Sequence, residues 1–137
     1  MTRTEAEALI SRYLEAFNAG DVDSMLDLLD EDVAHDINEG GREIGRSSFR
    51  NFMATMHRHY DETLADIVVF ASEDGTRVGA EFTVRGRYRE TAEGLPPASN
   101  QAYSIPAGQF FSLEDGRITR VTTYYNLNAW IAAVSKA

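Results

Sequence analysis

Fourteen residues near the front of the chain, Tyr13 to Leu26 (YLEAFNAGDVDSML), spell a helix that stops and restarts within a few positions. Leu9, Ile10, Tyr13, Leu14 and Phe17 recur at three- and four-residue steps and form one apolar stripe, the pattern of a helix laid on a core. Gly20 supplies the left-handed residue that ends such a helix, and Asp21 carries a side-chain oxygen suited to capping the next one. Val22, Met25, Leu26 and Leu29 continue the stripe on a short second helix. Two helices with one-sided apolar stripes need a second layer to cover them. At the start, Thr4 and Glu7 stand three apart in the order of a capping box, so the first helix is expected to begin there.

The downstream pattern supplies that layer. A strand is expected at about 33–38, then a turn at Gly40-Gly41, a short strand ending near Gly45, and a third helix over 46–59. Phe49, Phe52, Met53 and Met56 share its apolar side. Beyond it the period changes from helical to two. Leu64 to Ser72 reads as a strand, and Asp74-Gly75 as a hairpin turn into Arg77 to Glu90. There Val78, Ala80, Phe82, Val84 and Tyr88 alternate with Glu81, Thr83, Arg85, Arg87 and Arg89. The segment 91–100 holds Gly94 and Pro96-Pro97 and reads as a loop. Ala102 to Leu113 and Arg117 to Leu127 form a last hairpin across Asp115-Gly116, and Asn128 to Val134 a short closing helix with Trp130. Helices first and hairpins after define an α+β class, with helices on one face of a curved antiparallel sheet.

The 137 residues fit one domain spanning 1–137. A formal charge of −9 argues against nucleic acid, which demands a concentrated basic face. The acids at 21, 23, 27, 30, 31 and 32 read as a solvated helix face. There is no cysteine, hence neither a disulfide nor a thiolate site. His57 and His59 lie two apart on a predicted helix, a poor arrangement for shared metal ligation, so no metal is expected. No phosphate loop or dinucleotide fingerprint is present, so no cofactor is expected. The start, Met1 to Glu5, leads into an amphipathic helix, and no run approaches the ~18 apolar residues of a membrane span. A cytoplasmic protein without membrane contact is expected.

The order helix, helix, strand bearing His35-Asp36, third helix and hairpins resembles the nuclear transport factor 2-like superfamily, in particular its ketosteroid isomerase-related and SnoaL-like branch. Element order supports this over nearly the whole chain. Motif support comes from Arg12-Tyr13, Ala16, Asn18-Ala19-Gly20-Asp21, Asp36, and Gly45 to Phe52. The resemblance implies a cystatin-like cone: a curved antiparallel sheet closed by three N-terminal helices around an apolar pocket, with a homodimer formed through the sheet's outer face.

It also implies roles. Counted back from Gly45 and Phe49-Arg50-Asn51-Phe52, Asp36 falls on the isomerases' general-base aspartate; counted forward from Asn18 to Asp21, that place falls on Ile37. Alternation sets Val33, His35 and Ile37 on one face and Ala34, Asp36 and Asn38 on the other, so His35 faces an apolar pocket unless a bulge intervenes. SnoaL-like cyclases pair an acid with a histidine, which makes His35 the second candidate; the plain alternative is a hydrogen-bonded core histidine. Tyr13 falls on the tyrosine whose hydroxyl holds the substrate carbonyl. The second oxyanion donor falls on Gly108, beside Gln109 with its amide. Phe52, Met56, Tyr125, Asn126 and Trp130 are expected to wall the pocket. The implied activity is cofactor-independent proton abstraction beside a carbonyl, giving isomerisation or cyclisation of a small apolar carbonyl compound. Epoxide chemistry on this fold requires an Asp–Arg–Asp relay, and Glu81 with Arg85 is the nearest pair. The alternative is a non-catalytic small-ligand-binding or dimerisation module.

Overall fold

The computed structural model describes residues 1–135, with the element order α1 (Arg3–Asn18), α2 (Val22–Asp27), β1 (Leu29–Asp36), β2 (Arg42–Ile44), α3 (Arg46–His59), β3 (Tyr60–Ala71), β4 (Arg77–Tyr88), β5 (Gln101–Glu114), β6 (Arg117–Tyr125) and α4 (Leu127–Ser135). The capping box sits two residues earlier than Thr4 and Glu7. The Thr2 hydroxyl accepts from the Glu5 N–H at 3.1 Å, and Glu5 Oε1 accepts from the Thr2 N–H at 2.8 Å. Glu7 instead accepts from the Ala71 N–H at 3.2 Å, which ties α1 to β3. At the other end Gly20 takes φ +69° and the Asp21 carboxylate accepts from the Ser24 N–H at 3.1 Å, producing the elbow between α1 and α2.

The strands form one sheet in the order β2-β1-β6-β5-β4-β3. All pairings are antiparallel except β1 with β6, so the sheet is mixed rather than wholly antiparallel. The parallel pair arises because β1 leaves the helical layer and β6 returns from the last hairpin beside it. β1 begins at Leu29, where the residue completing the α2 stripe is already extended and fully buried. β3 begins at Tyr60, directly after α3, rather than at Leu64.

The core lies between α1, α2 and the concave face. Leu9, Ile10, Tyr13 and Leu14 of α1 are buried, and the Tyr13 ring meets Phe111 of β5 edge-on at 5.5 Å. At the far end Trp130 seats α4 by edge-on contacts with Tyr88 at 4.9 Å and with Tyr60 and Tyr103 at 5.7 Å. Gln101 adds an amide hydrogen bond to the Val134 carbonyl at 2.9 Å. Among the described residues no helix is long and apolar enough to cross a membrane.

Phe111 is fully buried beneath α1. Phe111→Ala is therefore expected to cost about 3–5 kcal/mol of stability, the range for truncating a buried aromatic. Urea unfolding of the two proteins checks it.

Candidate functional site

Between the helices and the concave face lies a cavity of about 200 Å³. Tyr13 and Phe17 enter it from α1, Phe49, Phe52, Met53 and Met56 from α3, and Trp130 from α4. The sheet contributes His35 of β1, Tyr60 and Glu62 of β3, Gln109 of β5, and Thr123 and Tyr125 of β6. A mostly apolar wall with a few polar groups is the usual make-up of a small-molecule site.

His35 is only 4% exposed and lies between two rings of α3, 4.7 Å from Phe49 and 4.6 Å from Phe52. Its Nδ1 is buried without a hydrogen-bond partner among the described residues. Burial holds its pKa down to about 4 from the ordinary 6.5, opposed by the charge of neighbouring Asp36. The imidazole is thus neutral at physiological pH, and none of the described residues fixes its tautomer through Nδ1.

Asp36, expected as the general base, does not line the cavity. It faces the other side of the sheet, as the pleat requires. Arg42 Nε donates to Oδ1 at 2.6 Å and Arg42 Nη2 to Oδ2 at 3.0 Å; the Thr122 hydroxyl donates to Oδ2 at 2.6 Å. These bonds, Arg42 first and Thr122 next, pull its pKa down to about 2. So strongly stabilised a carboxylate is a weak proton acceptor, and no bulge turns it inward: the β1 irregularity lies between Leu29 and Ala34. Asn126 is also outside. It is exposed, and its side chain accepts from the Ala129 N–H at 3.0 Å to cap α4.

The other expected residues do line the cavity. Tyr13 is almost fully buried, and burial alone raises its phenol pKa, so it stays a donor. Gln109 is on the cavity face, its amide donating to the Thr123 hydroxyl at 2.9 Å, whereas Gly108 belongs to the outer face with Phe110. Phe52, Met56, Tyr125 and Trp130 form wall. Asn38, just beyond β1, accepts from the Tyr125 N–H at 3.1 Å, and its buried amide nitrogen has no hydrogen-bond partner among the described residues.

Glu62 was missed by sequence reasoning. It lines the cavity and accepts from the Tyr103 hydroxyl at 2.6 Å. Burial raises its pKa, with the Tyr103 hydrogen bond opposing. The available signal was the spacing of Tyr60, Glu62 and Leu64, two apolar residues and an acid at period two. No group of His, Cys, Asp or Glu suited to hold a metal occurs among the described residues.

The sequence profile of the SnoaL-like domain matches residues 10–121. A crystal structure of a candidate polyketide cyclase from Xanthomonas campestris pv. campestris is 57% identical; the alignment covers 96% of this chain and 98% of that one, with a TM-score of 0.94. A second candidate polyketide cyclase, from Pseudomonas putida, is 53% identical over 98% of each chain with a TM-score of 0.93. The same fold recurs in a nuclear transport factor 2-like protein from Burkholderia xenovorans at 16% identity and a TM-score of 0.77, over 98% of both chains. Among curated proteins no sequence matches.

The Asp36 network has a pH signature. Its pKa is depressed from 3.8 to about 2, so its stabilisation is complete above pH 3.8 and is lost as pH falls through about 2. Asp36→Asn is expected to lower stability at neutral pH, with the difference from wild type vanishing near pH 2. Urea midpoints measured from pH 2 to 7 check this.

Proposed function

The chain belongs to the SnoaL-like domain family, and on that premise we propose that it performs cofactor-independent acid–base chemistry on a small carbonyl compound, ending in isomerisation or ring closure. The observation that carries this reading is His35, a neutral, desolvated imidazole lining an apolar cavity, with one ring nitrogen unpartnered among the described residues. His35 takes the proton from the carbon beside the carbonyl, and the Tyr13 hydroxyl donates to the oxygen on which charge develops. A pKa near 4 makes His35 a weak base by itself. In the reacting complex the enolate charge forms beside it, and the attraction between the two charges in a low-dielectric site raises its basicity when needed. Asp36 adds to this from the far side of the strand, through its field alone.

The cavity's size supports a compact substrate. A cavity of about 150 Å³ holds a benzene ring, so about 200 Å³ suits roughly eight non-hydrogen atoms. A longer molecule would leave its remainder outside.

The test is exchange of the α-protons of 2-tetralone in deuterated water, followed by proton NMR. Exchange above buffer background is expected from wild type, to be abolished by His35→Ala and lowered about 10²–10³-fold by Tyr13→Phe. Asp36→Asn should retain most of it. Exchange unchanged in His35→Ala would overturn the reading, and binding without exchange would make the cavity a binding site only.

The sheet's outer face bears the exposed apolar side chains Val68, Phe70, Phe110 and Tyr124, between 42% and 59% exposed. A patch of this kind suits a second copy of the chain. A dimer is expected on sedimentation, with Phe70→Glu shifting it to monomer.

A further inference from the structure

Three adjacent strands put one carboxyl–phenol pair in register. Glu62 of β3 pairs with Gly86 of β4, and Gly86 pairs with Tyr103 of β5. All three present the same face of the sheet, so the central position decides whether the outer two can meet. At Gly86 there is no side chain. A Cβ there would lie 2.6 Å from the Tyr103 hydroxyl and 2.9 Å from Glu62 Cγ, closer than real contacts allow. Across this gap the Tyr103 hydroxyl donates to Glu62 Oε2 at 2.6 Å, and Oε1 has no hydrogen bond among the described residues. The edge-on packing of Trp130 against Tyr103 holds the phenol from the α4 side.

We propose that Glu62, held by Tyr103 over Gly86, is the proton donor to the carbonyl oxygen of the ligand in this cavity. The assignment rests on the acid–base reading above and adds a catalytic residue to it. His35 takes the proton from carbon; the C–H electron pair becomes the new C=C bond, and the carbonyl π pair moves to oxygen. As charge grows on that oxygen, to which the Tyr13 hydroxyl donates a hydrogen bond, it takes the proton from Glu62 Oε1, leaving an enol, an imidazolium and a carboxylate. Return to the ketone gives the imidazolium proton to the same or a conjugated carbon and the enol proton back to Glu62, so both groups are restored. Strands β6, β5 and β4 separate β1 from β3, so the two groups belong to opposite sides of the concave face. The groups bearing on the titration of Glu62 are Tyr103 from β5, Tyr125 from β6, and Asp61 and Tyr60 from its own strand. His35 of β1, His57 of α3 and Tyr13 of α1 share the cavity. Burial of Glu62 favours the protonated form that the role needs.

The experiment follows the infrared carbonyl band of bound 2-tetralone, and its α-proton exchange, from pH 5 to 9. In wild type the band should sit at lower wavenumber while Glu62 is protonated and return as it ionises. Glu62→Gln still donates but cannot ionise, so its band should stay lowered at every pH while exchange falls about 10²-fold. Tyr103→Phe removes a hydrogen bond that favours the carboxylate, so the midpoint should move to higher pH. A pH profile identical in wild type and Glu62→Gln, with exchange still dependent on His35, would overturn this proposal alone. Absence of both binding and exchange in wild type would overturn it together with the acid–base reading.

Discussion

The pleat of the curved sheet is the constraint on which the site depends. Each strand has one face toward the helices and one away, and adjacent residues take opposite faces. His35 and Asp36 are neighbours in sequence and inhabit different media as a result. One packs between Phe49 and Phe52, and the other is gripped by Arg42 and Thr122. The same sorting sets Gln109 in the cavity and Gly108 outside it. A one-residue slip of β1 or β5 would exchange these groups, so the burial that fixes register also fixes which functional groups face a ligand.

Desolvation then tunes the groups that were sorted inward. It lowers the pKa of His35 and raises that of Glu62, because in each case it penalises the charged form. The two shifts have opposite signs and one consequence: both favour an uncharged cavity. Outside, hydrogen bonds and charge dominate and Asp36 stays a carboxylate. A histidine whose neutral form burial favours and a carboxyl whose protonated form burial favours are compatible occupants of one dry space. Two permanently charged groups would carry a heavy desolvation cost there.

Much of the fold was legible because local rules and global burial agree over most of the chain. The α1 stripe, the Gly20-Asp21 elbow, the Arg46–His59 helix and the alternation of β4 all follow from periodicity and caps. The failures have particular causes. Thr4 and Glu7 match the capping-box pattern as well as Thr2 and Glu5 do, and only the backbone decides between them. The parallel contact of β1 with β6 joins segments more than eighty residues apart, which no local pattern records. Within the site, alternation in β1 spoke for His35 against Asp36, while family spacing favoured Asp36. Glu62 was overlooked because its strand opens Tyr60-Asp61-Glu62-Thr63, a polar run that reads as loop until β4 is seen beside it.

Glycines within the sheet show how a short sequence change specifies chemistry without touching the fold. Gly79 and Gly86 both lie in β4, on opposite faces. A Cβ at Gly79 would collide with the Phe70 ring on the outer face, so that glycine lets an aromatic ring lie against the backbone. Gly86 does the corresponding service inside, where the groups brought together are an acid and a phenol. An alanine at Gly86 has no backbone objection, since the position lies outside the left-handed region; its effect would fall on Glu62 and Tyr103. An apolar β4 side chain at that position would pack well against a cavity wall, as Phe82 and Val84 do on the same face. Packing alone therefore favours a larger residue, and a strand interior disfavours glycine on entropic grounds. What the gap provides is the contact between Glu62 and Tyr103, which makes that contact the natural reason for the glycine.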